Sequence, residues 1–351
     1  MAYTTIDDPS AHFQSFLYTG NGSSRTITLP GNSNLKFDMY WYKARNETGQ
    51  HRIFDTNRGL SLELYPNLTA ADSAATYVSN QTANGFDLNS GDSSTNKNGA
   101  TYANWQWKAN GGTTATNNDG SITTTTQVNS DAGFSIVTWA GGGTGSLGHG
   151  LGVVPDMWIV KNRDYAVSWA IGFSDSSFLG GTSNYLSLNT DGATATYNNL
   201  WGSSPVNSSA ITMAGDRSVN ISGNDYVAYF FKAKQGYSKF GKYVGNASAD
   251  GPFVYTGFKP AWVMIKGADV ADDWYIFDNK RAGYNPEVFR LRANTTGTET
   301  TGTNNTVDHL SNGFKLRFNG GSMNASKLPY IYMAFAENPF VTSTGVPTTA
   351  R

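Results

Sequence analysis

The feature that most constrains this sequence is a pattern that returns three times in the same order. Its opening element is a short strand running into a Gly/Asn turn: Phe16-Leu17-Tyr18-Thr19-Gly20-Asn21-Gly22, then Ile136-Val137-Thr138-Trp139-Ala140-Gly141-Gly142, then Phe240-Gly241-Lys242-Tyr243-Val244-Gly245-Asn246. An aromatic-rich strand ending in lysine follows: Met39-Tyr40-Trp41-Tyr42-Lys43, Met157-Trp158-Ile159-Val160-Lys161 and Trp262-Val263-Met264-Ile265-Lys266. In the second and third copies Pro155 and Pro260 precede it, where a missing backbone N–H is tolerated. Next come Ile53-Phe54-Asp55-Thr56-Asn57-Arg58 and Ile276-Phe277-Asp278-Asn279-Lys280-Arg281, with a looser Trp169-Ala170-Ile171-Gly172-Phe173 in copy two. Asn84-Gly85-Phe86-Asp87-Leu88 matches Asn312-Gly313-Phe314-Lys315-Leu316, and the copies close on strands beginning at Tyr102, Tyr226 and Tyr330.

Short strands, regular turn signals and no helical periodicity predict an all-β chain of three tandem antiparallel β-sandwich (jelly-roll-like) domains sharing one repeated pattern. The expected boundaries are 1–109 for the first sandwich with its short N-terminal arm, 110–131 for a Gly/Thr/Asn-rich linker, 132–234 and 235–340 for the second and third sandwiches, and 341–351 for a polar C-terminal tail. Each copy is expected to bury its own core, with a hinge at the linker and a rigid contact between copies two and three.

Composition narrows the function classes. The 25 basic and 26 acidic residues leave a net charge of -1, so no basic field is available for a nucleic-acid backbone. No cysteine is present, which removes disulfides and thiolate metal sites and fits folding in a reducing cytosol. The opening residues carry Asp7 and Asp8 and no apolar run, so neither a signal peptide nor membrane insertion is expected.

The strand-Lys-Asn-Arg signature Val160-Lys161-Asn162-Arg163, the closing Tyr226-Val227-Ala228-Tyr229, the run Asp250-Gly251-Pro252-Phe253-Val254-Tyr255-Thr256-Gly257-Phe258 and the strand from Tyr330 to Glu337 resemble a repeat-containing tail-fibre and virion structural protein family of marine tailed bacteriophages. The resemblance covers almost the whole chain. It implies a component of the virion, made in the host bacterial cytoplasm, with other tail or capsid proteins as partners and a homo-oligomer, a trimer, as its working form. The chain departs from longer members of that family in having nine residues before Ser10 and no evident docking domain, coiled coil or collagen-like shaft. Its place on the particle is therefore open between tail, tail tip and capsid.

The residues themselves offer little catalytic chemistry, and no enzyme activity and no cofactor are expected. His12, His51, His149 and His309 lie far apart without metal-ligand spacing, and no nucleophile elbow precedes a helix. Asp55 and Asp278 recur at equivalent places and could be proposed as glycosidase acids, but the simpler reading pairs each with the arginine three residues on, Arg58 or Arg281. Acidic runs at Asp272-Asp273 and from Asp87 to Asp92 could supply oxygen ligands to Ca²⁺, with solvated loop acids as the default, and no metal site is assigned. Gly141-Gly142-Gly143-Thr144-Gly145 lacks the lysine and helix of a phosphate loop. Among the aromatics, Trp41, Trp105, Trp107, Trp158 and Trp262 read as core, whereas Trp201 and Trp274 sit in loop contexts and are the candidates for stacking on a ligand. The expected function is a tail-fibre or receptor-binding component contacting host surface glycans, with a capsid decoration or head-fibre protein as the alternative and a polysaccharide depolymerase as the remote one.

Overall fold

Two-residue alternation explains the architecture. Along Met39–Ala44, Met39 and Trp41 belong to one buried cluster and Tyr40 and Tyr42 to another, so both faces of the strand are covered and the sequence reads as one continuous apolar run. The equivalent strands Met157–Asn162 and Phe258–Gly267 divide the same way: Ile159 and Met264 join Trp41, while Val160 and Ile265 face separate clusters. The computed structural model describes residues 2–31, 35–89 and 94–348.

Three units result, each an antiparallel sandwich. In unit 1 the inner sheet has the order Phe13–Thr19, Thr101–Trp107, Met39–Ala44, Arg52–Asp55. Unit 2 repeats it with Phe134–Ala140, Asp225–Phe231, Met157–Asn162, Ala170–Phe173, and unit 3 with Ser238–Val244, Pro329–Pro339, Phe258–Gly267, Tyr275–Asp278. A three-stranded outer sheet covers one face of each: Arg25–Thr28, Gly85–Leu88 and Val78–Thr82 in unit 1; Gly145–Gly148, Ala210–Met213 and Trp201–Val206 in unit 2; Phe253–Tyr255, Gly313–Leu316 and Val307–Leu310 in unit 3. No helix among the described residues is long and apolar enough to cross a membrane.

Each unit buries a core of its own between its two sheets, as expected, but the units do not stand apart as separate domains. The other faces of the three inner sheets meet in one shared core that takes Trp41, Trp105 and Trp107 from unit 1, Tyr229 and Phe231 from unit 2, and Trp262, Met333 and Phe335 from unit 3. Trp262 lies edge-on to both Trp105 and Trp107, and Phe335 contacts Phe13, Trp107 and Phe231. The stretch 110–131 is correspondingly not a free linker. Its strands Ala115–Asn117 and Thr124–Asn129 extend the inner sheet of unit 2, and Gln127 is buried where Thr56 of unit 1 donates to its Oε1 (2.9 Å). The threonines that suggested loop are β-branched and also suit a pleated, half-buried strand, and the edge of Phe134–Ala140 is there to pair with. The tail folds back through Thr342 N to Val346 O (2.9 Å) and is tied to Asp7 by Ser343; residues 349–351 lie outside the described residues.

Cyclic contacts close the three units. His51, Trp169 and Trp274 stand at equivalent positions, each two residues before an isoleucine that pairs with a leucine of the next strand: Ile53 with Leu64, Ile171 with Leu186, Ile276 with Leu291. Each ring donates to the residue after that leucine in the preceding unit. Trp169 Nε1 bonds Tyr65 O (2.9 Å), Trp274 Nε1 bonds Ser187 O (3.0 Å), and His51 Nε2 bonds Arg292 O (3.0 Å). Trp41 Nε1 donates to His51 Nδ1 (2.9 Å), so the proton of the neutral ring is on Nε2, where the bond to Arg292 requires it. Unit 1 thus contacts unit 3, unit 2 contacts unit 1 and unit 3 contacts unit 2, a head-to-tail ring closed within one chain.

The lysine that ends each central strand is buried and holds the following turn. Its Nζ donates to the carbonyl of the next residue, Ala44, Asn162 or Gly267 (2.8 Å each), and of the residue four on, Glu47 (3.3 Å), Tyr165 (3.4 Å) or Val270 (3.1 Å). Burial pushes Lys43 and Lys266 down to about 8 and Lys161 down to about 7, from the ordinary 10.5. Between the folded and unfolded values the unfolded chain binds more protons, so stability rises as pH rises from about 7 toward 10. Above about 10 the slope reverses, because burial pushes Tyr40, Tyr42, Tyr229 and Tyr243 upward and only the unfolded chain then releases their protons. A series of thermal midpoints across this range is expected to pass through a maximum on the alkaline side; a midpoint that falls steadily above pH 7 contradicts the assignment.

Candidate functional site

The unit contacts are alike in topology but differ in what covers them. After Asp55, Asn57 reaches unit 2, where Nδ2 donates to Ile136 O (2.8 Å) and to Thr125 O (3.1 Å) of the covering strand Thr124–Asn129. At the unit 2–unit 3 contact the corresponding segment forms the 3₁₀ turn Ser176–Phe178; Phe178 packs on Phe173 and Ser177 accepts from Lys242. Among the described residues, unit 1 has no such covering strand. Residues 2–12 precede its opening strand with one 3₁₀ turn, Pro9–Ala11, and Lys280, at the place equivalent to Asn57, borders open space.

Two hollows lie there and share Lys280 and Glu337. The larger, about 430 Å³, is lined within unit 3 by Lys259, Asn279, Lys280, Gly283, Tyr284, Asn285, Glu287, His309 and Glu337. That volume falls within the usual range for small-molecule sites. The smaller, about 230 Å³, lies between unit 3 and the Ser10–Ser15 and Pro30–Gly31 segments of unit 1.

The loop carrying the larger hollow is fixed from below. Asp278 Oδ1 accepts from Lys280 N (3.1 Å) and Arg281 N (3.2 Å), and Oδ2 accepts from Arg281 Nε (2.8 Å) and from Trp105 Nε1 of unit 1 (3.1 Å). Arg281 also donates to Ile276 O (2.7 Å) and pairs with Glu299 (3.2 Å). Glu287 accepts from Ala282 N (3.2 Å) and Phe289 N (2.8 Å); burial raises it to about 7 against the opposing pull of Arg281 and those N–H groups. Asn285 and the His309 backbone exchange two bonds of 2.9 Å. Gly283, at φ +75°, turns the chain so that Tyr284 stands 67% exposed at the mouth.

Inside, several polar atoms lack partners. His309 is 4% exposed, both ring nitrogens are unpaired, and its ring lies beside the Pro260 carbonyl without reaching hydrogen-bonding geometry. Each of the other three histidines has a ring nitrogen engaged, His12 with Asn129, His51 as above, and His149 with Asn207 O and Leu151 N. Burial lowers His309 to about 4, so its imidazole is neutral near pH 7 and presents one donor and one acceptor. Asn279 Oδ1 is likewise buried and unpaired. Burial pushes Glu337 upward, but the bond and charge of Lys259, 2.5 Å from Oε2, and the charge of Lys280, 3.6 Å from Oε1, outweigh it and hold Glu337 ionised.

Neither tryptophan chosen from the sequence belongs to this place. Trp201 is 5% exposed and packs edge-on against Trp158 inside unit 2, and Trp274 is 2% exposed and seals the unit 2–unit 3 contact. Trp201 follows Asn198-Asn199-Leu200 and Trp274 follows Asp272-Asp273, yet each ring points inward. The Asp55–Arg58 and Asp278–Arg281 pairs form as the spacing suggested, at 2.6 and 2.8 Å, but fully buried and keyed to the neighbouring unit rather than at the surface. Asp272 accepts from Asp273 N and Tyr275 OH, and Asp273 pairs with Arg292. Asp87 accepts from Thr26, and the end of its acidic run, at Asp92, lies outside the described residues. Among the described residues no group of three or more His, Cys, Asp or Glu is placed to hold a metal ion. Tyr284 was legible only as the single aromatic in the turn-rich run Ala282-Gly283-Tyr284-Asn285-Pro286, whereas His309, Asn279 and Glu337 meet through pairings far apart in sequence.

No curated protein matches this sequence. Residues 8–339, nearly the full length and all three units, match the family described as Domain of unknown function (DUF7483), and the chain belongs to that family.

Proposed function

We propose that this chain is a virion structural protein of the tail-fibre or receptor-binding kind, and that it contacts host surface glycans through the hollow beneath Tyr284. The observation that carries the reading is the set of buried, unpaired polar atoms of His309 and Asn279 under an exposed aromatic ring. A buried polar group without a partner costs about 1–3 kcal/mol. Sugar hydroxyls supply both donors and acceptors to such atoms, and the flat apolar face of a sugar suits the tyrosine ring. Both carboxylates in the hollow are engaged, Glu287 by backbone N–H groups and Glu337 by two lysines, which favours binding over hydrolysis. Because the ring of units closes within one chain, a homo-oligomer would multiply complete sites rather than assemble them.

Tyr284→Ala tests the reading. Its ring is exposed, so unfolding is expected to shift by less than about 0.5 kcal/mol, while glycan affinity falls about tenfold or more, equivalent to about 1.4 kcal/mol. Glycan-array binding of the purified chain and the variant checks both; equal binding by the two removes Tyr284 from the site.

A capsid decoration role is the second reading. It is favoured by Val244, Phe253 and Tyr255, large apolar side chains of unit 3 that are each about half exposed and suit contact with a shell protein. Antibody labelling of particles separates the two: label at the tail or its fibres supports adhesion, and label spread over the head supports decoration.

A further inference from the structure

The second hollow extends the first into unit 1. Ser15, Gln14 and Pro30 on the unit 1 side face Ala261, Lys280 and Glu337 of unit 3. Ser15 is 7% exposed and its Oγ has no partner. The unpaired buried atoms of this region therefore run from His309 and Asn279, past the Lys280–Glu337 pair, to Ser15, crossing from one unit to the next.

Equivalent positions show why this path is open. Ser15 pairs with Trp105 and Ile136 with Tyr229, so Ser15, one residue before the Phe16 that the sequence pattern set against Ile136, stands where unit 2 has Ile136. At the unit 1–unit 2 contact the Ile136 carbonyl is met by Asn57, and strand Thr124–Asn129 pairs alongside, with Gln127 opposite Ile136. At the unit 3–unit 1 contact the side chain is a serine, the asparagine is replaced by Lys280, and no covering strand exists among the described residues. The same place in the fold is filled by a strand once and left as a polar trough once. An open hollow at the place where unit 2 carries an extended strand suits a linear ligand.

We infer that the groove binds the interior of an oligosaccharide chain laid across the unit 3–unit 1 boundary, with one sugar ring on Tyr284 over His309 and later residues of the chain at Ser15. This rests on the glycan reading above and adds the class of ligand: a linear glycan of several residues rather than a single terminal sugar. The Lys280–Glu337 pair sits between the two subsites. Lys280 has a side chain about half exposed, so it can donate to ring or linkage oxygens of the bound chain while keeping its carboxylate partner.

The test is the length dependence of binding by the full chain. The leading binder on an array of neutral and acidic glycans is prepared as a mono- to hexasaccharide series and titrated against wild type, Ser15→Ile and Ser15→Ala. Ser15→Ile introduces the residue that unit 2 carries at this place and fills the second hollow. Ser15→Ala removes only the hydroxyl and keeps the proposal testable if the larger side chain disturbs folding, which thermal melting reports. Affinity is expected to rise about tenfold or more between the short and the long members, with the gain lost in Ser15→Ile, reduced in Ser15→Ala, and short-sugar binding unchanged in both. Equal affinity along the series, or a gain that survives Ser15→Ile, overturns the extended groove while leaving the Tyr284 site standing. Binding to no glycan of any length overturns both.

Discussion

Trp274→Ala is expected to be the most damaging single substitution of an aromatic in this chain, lowering stability by about 3–5 kcal/mol. The indole is 2% exposed, belongs to the shared core, and donates 3.0 Å to Ser187 O across the unit 2–unit 3 contact. Truncation leaves a cavity and an unpaired carbonyl at once, and the cost is communal because all three inner sheets rest on that core. Trp274→Phe keeps most of the volume and is expected to cost less, isolating the contribution of the hydrogen bond. Urea unfolding followed by tryptophan fluorescence checks this through the midpoint. A change below about 0.5 kcal/mol, the usual size for an exposed side chain, would contradict the packing described and return Trp274 to the surface.

Asp55→Ala should cost about as much, roughly 3–5 kcal/mol, through charge rather than volume. Arg58 and Asp55 are fully buried and 2.6 Å apart, and Asp55 Oδ2 also accepts from Tyr229 OH of unit 2 (2.7 Å). Removing the carboxylate strands a guanidinium in the interior with only Asp72 (2.6 Å) to balance it, and leaves the tyrosine hydroxyl unpaired. The protein contains its own control. The equivalent pair at the unit 2–unit 3 contact is Phe173 and Met333, which border one small apolar gap. Replacing Asp55, Arg58 and Tyr229 together by Phe, Ser and Met, the residues found at those places, is therefore expected to recover most of the loss, since exchanging a whole buried polar group for packed apolar side chains is often near neutral. If the single substitution is tolerated, or the triple is worse than the single, the three contacts are not equivalent in the sense argued.

Both expectations follow from contacts between units, and the sequence is least informative there. The order of elements within a unit was legible because it rests on local chemistry: alternation of large side chains, turns at Gly and Asn, and, in unit 2, proline before the central strand; in unit 3 Pro260 lies inside Phe258–Gly267, at a break in its register with Pro329–Pro339. The lysine ending each central strand was visible as a recurrence, but not its task, because carbonyls are the same in every residue and only the turn geometry brings them together. Thr124–Asn129 was read as linker since threonine and asparagine occur in loops as well as strands. What made it a strand was an uncovered sheet edge beside it.

The sequence by itself determined an all-β chain with sandwich-like units and aromatic cores, because period-two patterning and turn residues act over a few residues and need no distant partner. Tertiary structure alone decided that three inner sheets share one core, that Trp274 is a seal between units, and that the hollow lined by His309 and Asn279 shares Lys280 and Glu337 with the one lined by Ser15. Those outcomes depend on which faces meet and which edge stays uncovered. Such choices are settled by burial and hydrogen-bond partners remote in the chain, and no local run of residues encodes them.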